Sequence, residues 1–497
     1  MANCEHASID VKRLAASLRE NLETVQSLSE ECCIYRVPQQ TRCLNESAFT
    51  PQVISIGPLH HGKEELKEME EHKRRNLKRF LKRTKFLKMA SSEHVSVDVN
   101  NIAASLKENL QTMHPVSEEC CIYRVPRRTR CLNESDFTPQ VISIGPLHHD
   151  KGELKEMEEH KRRYLKHFLQ RTKVSIEKFL KLIKDKEAKL RSYYSENIER
   201  TSDVFVTMIL VDSIFMIEYL LRCSNSDLVT NDDRICGKPY IKIFEDLRLL
   251  ENQLPFFILN DLFILAKTAI HGEVLDGLSL IELVISWIRG FAARDLLIQK
   301  NSLEQHFSKA EHMLDFLRLC LEPSVELNDD DQEELNDDDQ EDTIRTPNIP
   351  SVTELHQAGV KFQLGSTKHL LEITFNKGIL KIPLLAIYDT TEGLFRNLLA
   401  FETAHGDGCY INDYIIMMKN LVVTANDAEL LVQNGVIDNW TGDSQAVSNF
   451  LRNLDRQATL HANNFRYSDL VQDLKEYCRY PLHNWKANLK QNYFNTP

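Results

Sequence analysis

The chain has 497 residues, of which 42% are hydrophobic and 27% charged, and this composition is typical of a globular protein too long for one hydrophobic core. The net charge of −12 is concentrated in residues 326–342, which hold 11 acids and no base, so the rest of the chain carries −1. Such a balance argues against a nucleic-acid-binding protein.

A stretch near the start of the chain is written twice. Residues Ser8–Lys85 and Ser96–Lys173 align without a gap, and 46 of 54 positions agree from Glu31 to Thr84. Two copies are too few for a solenoid, which needs about three or more stacked repeats. Only the second copy runs on into the remaining 324 residues, so we expect it to be the working copy. The expected organisation is an extra partial copy with a bridge (1–95), an N-terminal part (96–325), an acidic disordered linker (326–348) and a C-terminal part (349–497).

Cysteine usage and the lack of targeting patterns indicate a reducing compartment. Six of the 12 cysteines belong to the two copies, and the pairs Cys32-Cys33 and Cys120-Cys121 lack the C-x-x-C spacing of zinc or redox sites. We expect them to be small buried hydrophobic residues. Since no secretory signal and no uncharged apolar run of about 18 residues are found, the expectation is a cytoplasmic chain without a transmembrane segment.

The sequence of each copy is typical of an extended segment followed by an amphipathic helix. Prolines and a Gly-Pro pair disfavour a helix in Phe49–Pro58 and Phe137–Pro146. The helix of the second copy has apolar residues at helical spacing, namely Leu154, Met157, Leu165, Phe168 and Leu169. Tyr164 extends this stripe where the first copy has Asn76, which indicates deeper burial of the second copy.

The remaining elements predict a mainly α fold, a multi-helix globular domain with one small β-hairpin or sheet. Buried helices are expected at Val204–Leu221, at Ile241–Leu265 with a break at Leu254-Pro255, and at Leu278–Phe291. A hairpin is expected from Leu370–Phe375 and Ile379–Ile387 around Asn376-Lys377-Gly378. Five more helices are expected at Gly393–Thr403, Asn412–Thr424, Asp427–Asn434, Ser444–Leu454 and Tyr467–Leu489.

The histidines of the second copy are the residues that could ligate a metal. His148-His149 precede a helix that carries Glu156 and His160 one turn apart. A metal site needs three or four converging groups, and adjacent histidines seldom face one ion. We therefore favour a turn and a solvated helix face, and we predict neither a metal nor a cofactor.

Glu251-Asn252-Gln253 is the second candidate, because three polar residues lie between apolar runs. Buried polar groups must find hydrogen-bond partners, so the favoured interpretation is a structural network that fixes a helix break. The alternative is a catalytic carboxylate at Glu251. Asp212 and Glu218 are six residues apart, which does not place both on one helix face, so a paired acid and base is not indicated. No nucleotide-binding, nucleophile-elbow or zinc-protease motif is present, and we predict no enzyme.

A series of motifs from about Glu119 to the C-terminus resembles one family. They are Ile122–Pro126, Phe137–Val141, Ser143–His149, Met157–Lys161, Asp246–Phe257, Pro350–Leu355 with Ala358–Phe362, and Leu394–Leu398 with Phe401-Glu402. In these the chain resembles the plant family known as domain of unknown function 247, or UPF 0481. The resemblance implies a plant-restricted, mainly helical protein without established enzymatic activity, with some relatives tied to self-incompatibility in grasses.

The resemblance also implies which residues matter and where the protein acts. The family carries one copy of the duplicated unit, and many members continue into a transmembrane helix after a stretch like Trp485–Pro497, where this chain stops. Plasma-membrane association is therefore expected if an anchor is missing from this chain. The motif residues, with a structural or interaction role, are Tyr123, Arg124, Pro126, Pro139, Gln140, Gly145, Pro146, His148, His149, Glu159, His160, Lys161, Glu251, Asn252, Gln253 and Pro255.

The functional hypothesis is a non-enzymatic plant protein that acts by protein–protein interaction, at a membrane surface or in signalling or recognition. The alternative is a hydrolase-like enzyme that uses the buried carboxylate of Glu251 with His148 or His149 nearby. Neither the partner nor the oligomeric state follows from the sequence.

Overall fold

The computed structural model describes residues 117–229, 239–269, 277–291, 303–322, 348–367, 369–406, 408–459 and 465–479. They belong to a unit that spans Pro115–Pro497. The first copy, the acidic linker and the Trp485–Pro497 motif lie outside the described residues, so the expected domain boundaries stay predictions.

The described residues are mainly helical, which confirms the predicted fold class. Their α-helices are α1 (Arg127–Arg130), α2 (Lys155–Thr172), α3 (Ile176–Asp185), α4 (Glu187–Ser192), α5 (Ser202–Ser224), α6 (Pro239–Asp246), α7 (Phe256–Ala269), α8 (Leu280–Phe291), α9 (Leu303–Lys309), α10 (Met313–Leu321), α11 (Val352–Gln357), α12 (Thr391–His405), α13 (Tyr410–Leu421), α14 (Ala425–Gln433), α15 (Ser444–Asp455) and α16 (Ser468–Arg479). Three short 3-10 helices are Glu134–Phe137, Gly152–Leu154 and Ser226–Leu228.

Five short strands form two small sheets. The strands are β1 (Lys361–Leu364), β2 (Thr374–Asn376), β3 (Ile379–Ile382), β4 (Leu385–Ile387) and β5 (Ile437–Asn439). The first sheet has the order β1-β3-β2, with β1 parallel and β2 antiparallel to β3. The second pairs β4 with β5 in parallel.

Helix α5 lies at the centre of the N-terminal half. Its length and mean hydropathy of 2.1 would allow it to cross a membrane, but 89% of its most apolar window is buried inside the protein. Helices α2, α3, α7 and α8 all pack against it. A helix that is apolar all round is expected in such a core, and within the described ranges it is the one helix with these properties.

The apolar stripe of α2 faces this core helix. Tyr164 is 2% exposed, and its ring lies 5.2 Å from that of Phe215 on α5. The guanidinium of Arg222 lies 4.2 Å from the Tyr164 ring centroid, which adds a cation–π contact. The aromatic residue that distinguishes the second copy is therefore buried, as the sequence predicts.

The β structure exceeds what the sequence predicts. The turn between β2 and β3 is confirmed, with positive φ at Lys377 (50°) and Gly378 (78°), as a type I′ hairpin requires. The predicted single strand from 379 to 387 is wrong: Pro383, which has no N–H to donate, separates β3 from β4, and these strands join different sheets. Strands β1 and β5 were not predicted.

Two predicted helices have different limits in the structure. The predicted break at Leu254-Pro255 is a nine-residue non-helical connection between Asp246 and Phe256. The predicted helix Tyr467–Leu489 is described only as Ser468–Arg479. The other predicted helices lie within a few residues of the observed ones.

Candidate functional site

Side chains bind the backbone of the segment Phe137–Pro146, which the sequence predicts to be extended and which bends at Gln140 and Val141. The carboxylate of Asp246 accepts three consecutive backbone N–H groups, from Gln140 (2.9 Å), Val141 (2.7 Å) and Ile142 (2.8 Å). Burial raises the pKa of Asp246 to about 6, although the three N–H groups favour its charged form.

Asn252 continues this pairing two residues further along. Its Oδ1 accepts the N–H of Ile144 at 2.6 Å, and its Nδ2 donates to the carbonyls of Ile142 and Asp246 at 3.0 Å. One buried amide thus pairs both with the extended segment and with the end of α6.

The buried side chain of Gln253 forms hydrogen bonds to the connection between α6 and α7 and to α10. Its Nε2 donates to the carbonyls of Leu247 (2.8 Å) and Leu249 (2.7 Å), and its Oε1 accepts the N–H of Leu314 (3.3 Å). The Leu249 carbonyl also accepts the N–H of Asn252 at 3.0 Å, so side-chain and backbone donors together satisfy the carbonyls where the chain leaves the helix.

Lys161 and Asp212 form a fully buried ion pair below the same segment. Lys161 Nζ lies 2.7 Å from Asp212 Oδ1 and also donates to the Ser143 carbonyl and to Glu158. Burial raises the pKa of Asp212, whereas the Lys161 ammonium and the Gly145 N–H, 2.9 Å from Oδ2, oppose this rise. The pair thus fixes α2, α5 and the extended segment to one another.

Gly145 stands where no other residue fits. Its φ is +74°, and a Cβ at this position would lie 2.7 Å from the carbonyl oxygen of Gln253. The chain can therefore approach the α6–α7 connection only with glycine here.

Glu251 is the centre of a second network, and its side chain is fully buried. One oxygen accepts the N–H of Val125 at 2.7 Å and pairs with Arg130. The other lies 3.0 Å from Arg124 Nη1 and 3.0 Å from His148 Nε2. Burial alone would raise the pKa of Glu251, but His148, Arg130 and Arg124 together lower it to about 2, so Glu251 is a carboxylate at neutral pH.

His148 is buried beside this carboxylate. Burial lowers its pKa despite the nearby Glu251, so the ring is neutral at pH 7. Its Nδ1 is buried and has no hydrogen-bond partner among the described residues. His149 is only partly buried and lies outside the Glu251 contacts that the structure describes.

A cleft of about 570 Å³ lies over the Glu251 network, and we call it the His148 cleft. Its wall includes Arg124, His148, Lys151, Glu196 and Arg200, with Pro146 and Leu147 beside them. Arg124 binds Glu196 through two nitrogens, each at 2.9 Å, and Arg200 pairs with Asp150 at 2.5 Å. Glu251 therefore connects to the cleft through Arg124 and His148.

The other motif residues are distributed over different surroundings. The hydroxyl of Tyr123 donates to the Cys120 carbonyl at 2.6 Å and lies 3.0 Å from His405 Nδ1 on α12. His160 is buried with its ring 4.5 Å from that of Tyr164, whereas Glu159 is exposed and pairs with Arg163 on the same helix. The remaining motif residues are exposed Gln140, Pro126 at the start of α1, and buried Pro139, Pro146 and Pro255.

Two of the histidines considered as metal ligands lie in different surroundings, since His148 contacts Glu251 and His160 packs among aromatic rings. Throughout the part of the chain that the structure describes, no group of three His, Cys, Asp or Glu side chains could hold a metal ion. Of the cysteines of the second copy, Cys120 and Cys121 are buried and Cys131 is exposed. The burial of the adjacent pair agrees with the sequence prediction.

Sequence reasoning missed Arg130 and Glu196, although both complete the Glu251 network. One signal was available for Arg130: it is unchanged at Arg42 of the first copy, whereas Arg127 and Arg128 are replaced by glutamines there. Glu196 lies after the duplicated stretch, and no local pattern distinguishes it.

Glu402, which belongs to the Phe401-Glu402 motif, lies in the C-terminal half and accepts the N–H groups of Ile411 and Asn412, each at 2.9 Å. It thereby satisfies the first turn of α13. Burial raises the pKa of Glu402 to about 7, above its ordinary value of 4.5.

A raised carboxyl pKa makes the native state bind more protons than the unfolded state between pH 4.5 and 7, so stability from Glu402 falls as pH rises through this window. We expect Glu402→Gln to remove about 2 to 3 kcal/mol of this pH-dependent change in the free energy of unfolding. Urea denaturation at pH 5 and pH 7.5 measures it. The exposed Glu159→Gln is the control, and an unchanged pH dependence in Glu402→Gln would contradict the assignment.

Comparison with known proteins gives the following matches. A model of the family DUF247, described as plant protein of unknown function, matches residues 34–117 and 122–497. A UPF0481 protein of Arabidopsis thaliana is 27% identical over 420 residues, which cover 80% of this chain and 86% of the relative. A second UPF0481 protein of that plant is 23% identical over 478 residues, which cover 79% and 88%. No solved structure matches the chain.

Proposed function

We propose, from the premise that this chain belongs to the DUF247 family of plant proteins of unknown function, that it acts by binding a protein partner and not by catalysis. The observation that carries this proposal is Trp440, which is 65% exposed and lies with its ring 5.7 Å from that of Tyr388 in a stacked arrangement. Tryptophan and tyrosine are the residue types that most often dominate the energy of protein interfaces.

The two rings lie at the carboxyl ends of the strands in the small parallel sheet. Tyr388 follows β4 and Trp440 follows β5, and parallel strands bring these ends together. The N–H of Trp440 donates to the Ile387 carbonyl at 2.9 Å, and Asn439 Oδ1 accepts from the N–H of Thr441 at 3.0 Å. Because hydrogen bonds already hold this backbone, binding a partner here would cost less conformational entropy.

The buried carboxylates support a role without catalysis, because they are engaged in structural contacts. Asp212 is bound by Lys161, Glu218 by Arg171 and Arg222, and Asp246 by three backbone N–H groups. Groups held in this way stabilise the fold, and none of them faces the His148 cleft.

The Trp440 surface can be tested with the full-length chain. In affinity capture from plant extract, Trp440→Ala is expected to lower recovery of the specific partner about 30-fold, since a central tryptophan contributes about 2 kcal/mol or more. Leu364→Ala, at a position that is 50% exposed on β1, is the matched control. Equal recovery of every captured protein by wild type and Trp440→Ala would contradict the proposal.

We propose that this contact serves recognition or signalling, either in the cytoplasm or at the plasma membrane. The support is the sequence resemblance to anchored relatives. Fractionation of the tagged full-length chain between cytosol and membranes distinguishes the two locations.

A second candidate function is favoured by one distance. His148 Nε2 lies 3.0 Å from Glu251 Oε2 at the wall of a cleft, and a neutral histidine oriented by a carboxylate is an arrangement found in general bases. Hydrolysis of ester substrates by the purified chain, lost in His148→Gln, would favour this hydrolase-like function. The variant leaves the contacts of Glu251 with both arginines in place.

A further inference from the structure

Lys151 is the one cation of the His148 cleft wall that forms no ion pair with the described residues. Arg124 is engaged by Glu196 and Glu251, and Arg200 is engaged by Asp150. The Lys151 side chain is half-buried, and its backbone N–H donates to the His148 carbonyl at 3.1 Å. The ammonium is therefore carried by the same short turn as His148.

The lining of the cleft carries as many carboxylates as cations. Glu196 pairs with Arg124 and Asp150 pairs with Arg200, whereas the exposed Glu199 forms no ion pair with the described residues. Arg124, Arg130 and Lys151 surround the single buried carboxylate of Glu251, but only the two arginines contact it. Burial and then the nearby Arg130 lower the pKa of Lys151. Glu251 and Glu134 attract the half-buried ammonium but form no ion pair with it, so an anion in the cleft would be able to pair with it directly.

His148, which lines the cleft, has an unsatisfied buried nitrogen. His148 lines the cleft with a side chain that is 2% exposed, and its Nδ1 has no hydrogen-bond partner in the described part of the chain. An unpaired buried polar group is rare in folded proteins and calls for a partner.

We propose that the His148 cleft is a binding site for a small ligand with an oxyanion group, a carboxylate or a phosphate, which pairs with Lys151 beside Arg124. The volume of about 570 Å³ lies within the range of about 300 to 1,000 Å³ that small-molecule sites occupy. This site lies apart from the Trp440 surface in sequence and element, so it stands or fails independently of the protein-partner proposal.

The test is a thermal-shift titration of the full-length chain with inorganic phosphate and, separately, with succinate, each against sodium chloride at the same ionic strength. We expect a saturable rise in Tm with at least one anion. A rise with phosphate alone assigns a phosphate group, and a rise with succinate alone assigns a carboxylate. A rise with both supports the shared oxyanion chemistry.

Substitutions at Lys151 test whether the anion binds in the His148 cleft. Lys151→Met is expected to weaken the apparent affinity about tenfold or more, which corresponds to about 1.4 kcal/mol. Lys151→Arg should retain binding, and Lys178→Met, at an exposed lysine on α3, should behave as wild type. No shift beyond that of sodium chloride, or an unchanged affinity in Lys151→Met, would overturn the proposal.

Discussion

Asp212→Ala is expected to lower the free energy of unfolding by about 3 to 5 kcal/mol. The substitution removes the fully buried carboxylate from the Lys161 ammonium, which then has only the partly exposed Glu158 as its anion among the described residues, and it also removes the acceptor for the Gly145 N–H. Urea denaturation followed by circular dichroism at pH 7 measures the loss. The exposed pair Glu159–Arg163 provides the control, since Glu159→Ala should cost less than about 1 kcal/mol.

A double variant distinguishes two contributions to the loss of stability, the charge left on Lys161 and the packing lost at Asp212. Lys161→Met combined with Asp212→Ala removes both charges, so we expect it to be more stable than Asp212→Ala alone by about 1 to 2 kcal/mol. If the double variant were as unstable as Asp212→Ala, the cost would not come from the buried ammonium.

Glu251→Ala is expected to cost about 3 kcal/mol, because it leaves two arginines without their shared carboxylate and the Val125 N–H without an acceptor. Glu196→Ala is the matched control, since Glu196 binds the same Arg124 but its side chain is 35% exposed. We expect it to cost less than about 1 kcal/mol. Equal losses in the same denaturation experiment would show that burial of Glu251 does not matter.

The helices were largely predictable because their apolar spacing is a local property. The buried run of α5 and the stripe of α2 with Tyr164 are both visible in the sequence and both face the core. The strands were less predictable, because β1 and β5 have three or four residues each and are defined by pairing with distant partners.

The candidate site was predictable in its members but not in its connections. The motifs contain Arg124, His148 and Glu251, yet nothing in the spacing shows that residues 127 positions apart form an ion pair. Asp246 was noted only as the first residue of a motif, although it holds three N–H groups of the extended segment. Long-range polar contacts of this kind depend on the folded topology, which local periodicity does not encode.

The side chains that hold residues 140–145 have a consequence for association between molecules. Val141-Ile-Ser-Ile144 is rich in β-branched residues, and an extended segment with free N–H groups is a template on which strands of other chains can add. Here the carboxylates of Asp246 and Asp212 and the amide of Asn252 accept hydrogen bonds from backbone N–H groups of that segment. A carboxylate accepts hydrogen bonds but offers none, so it ends the ladder where another strand would have extended it. In the folded chain these N–H groups are therefore not available to a strand of another molecule.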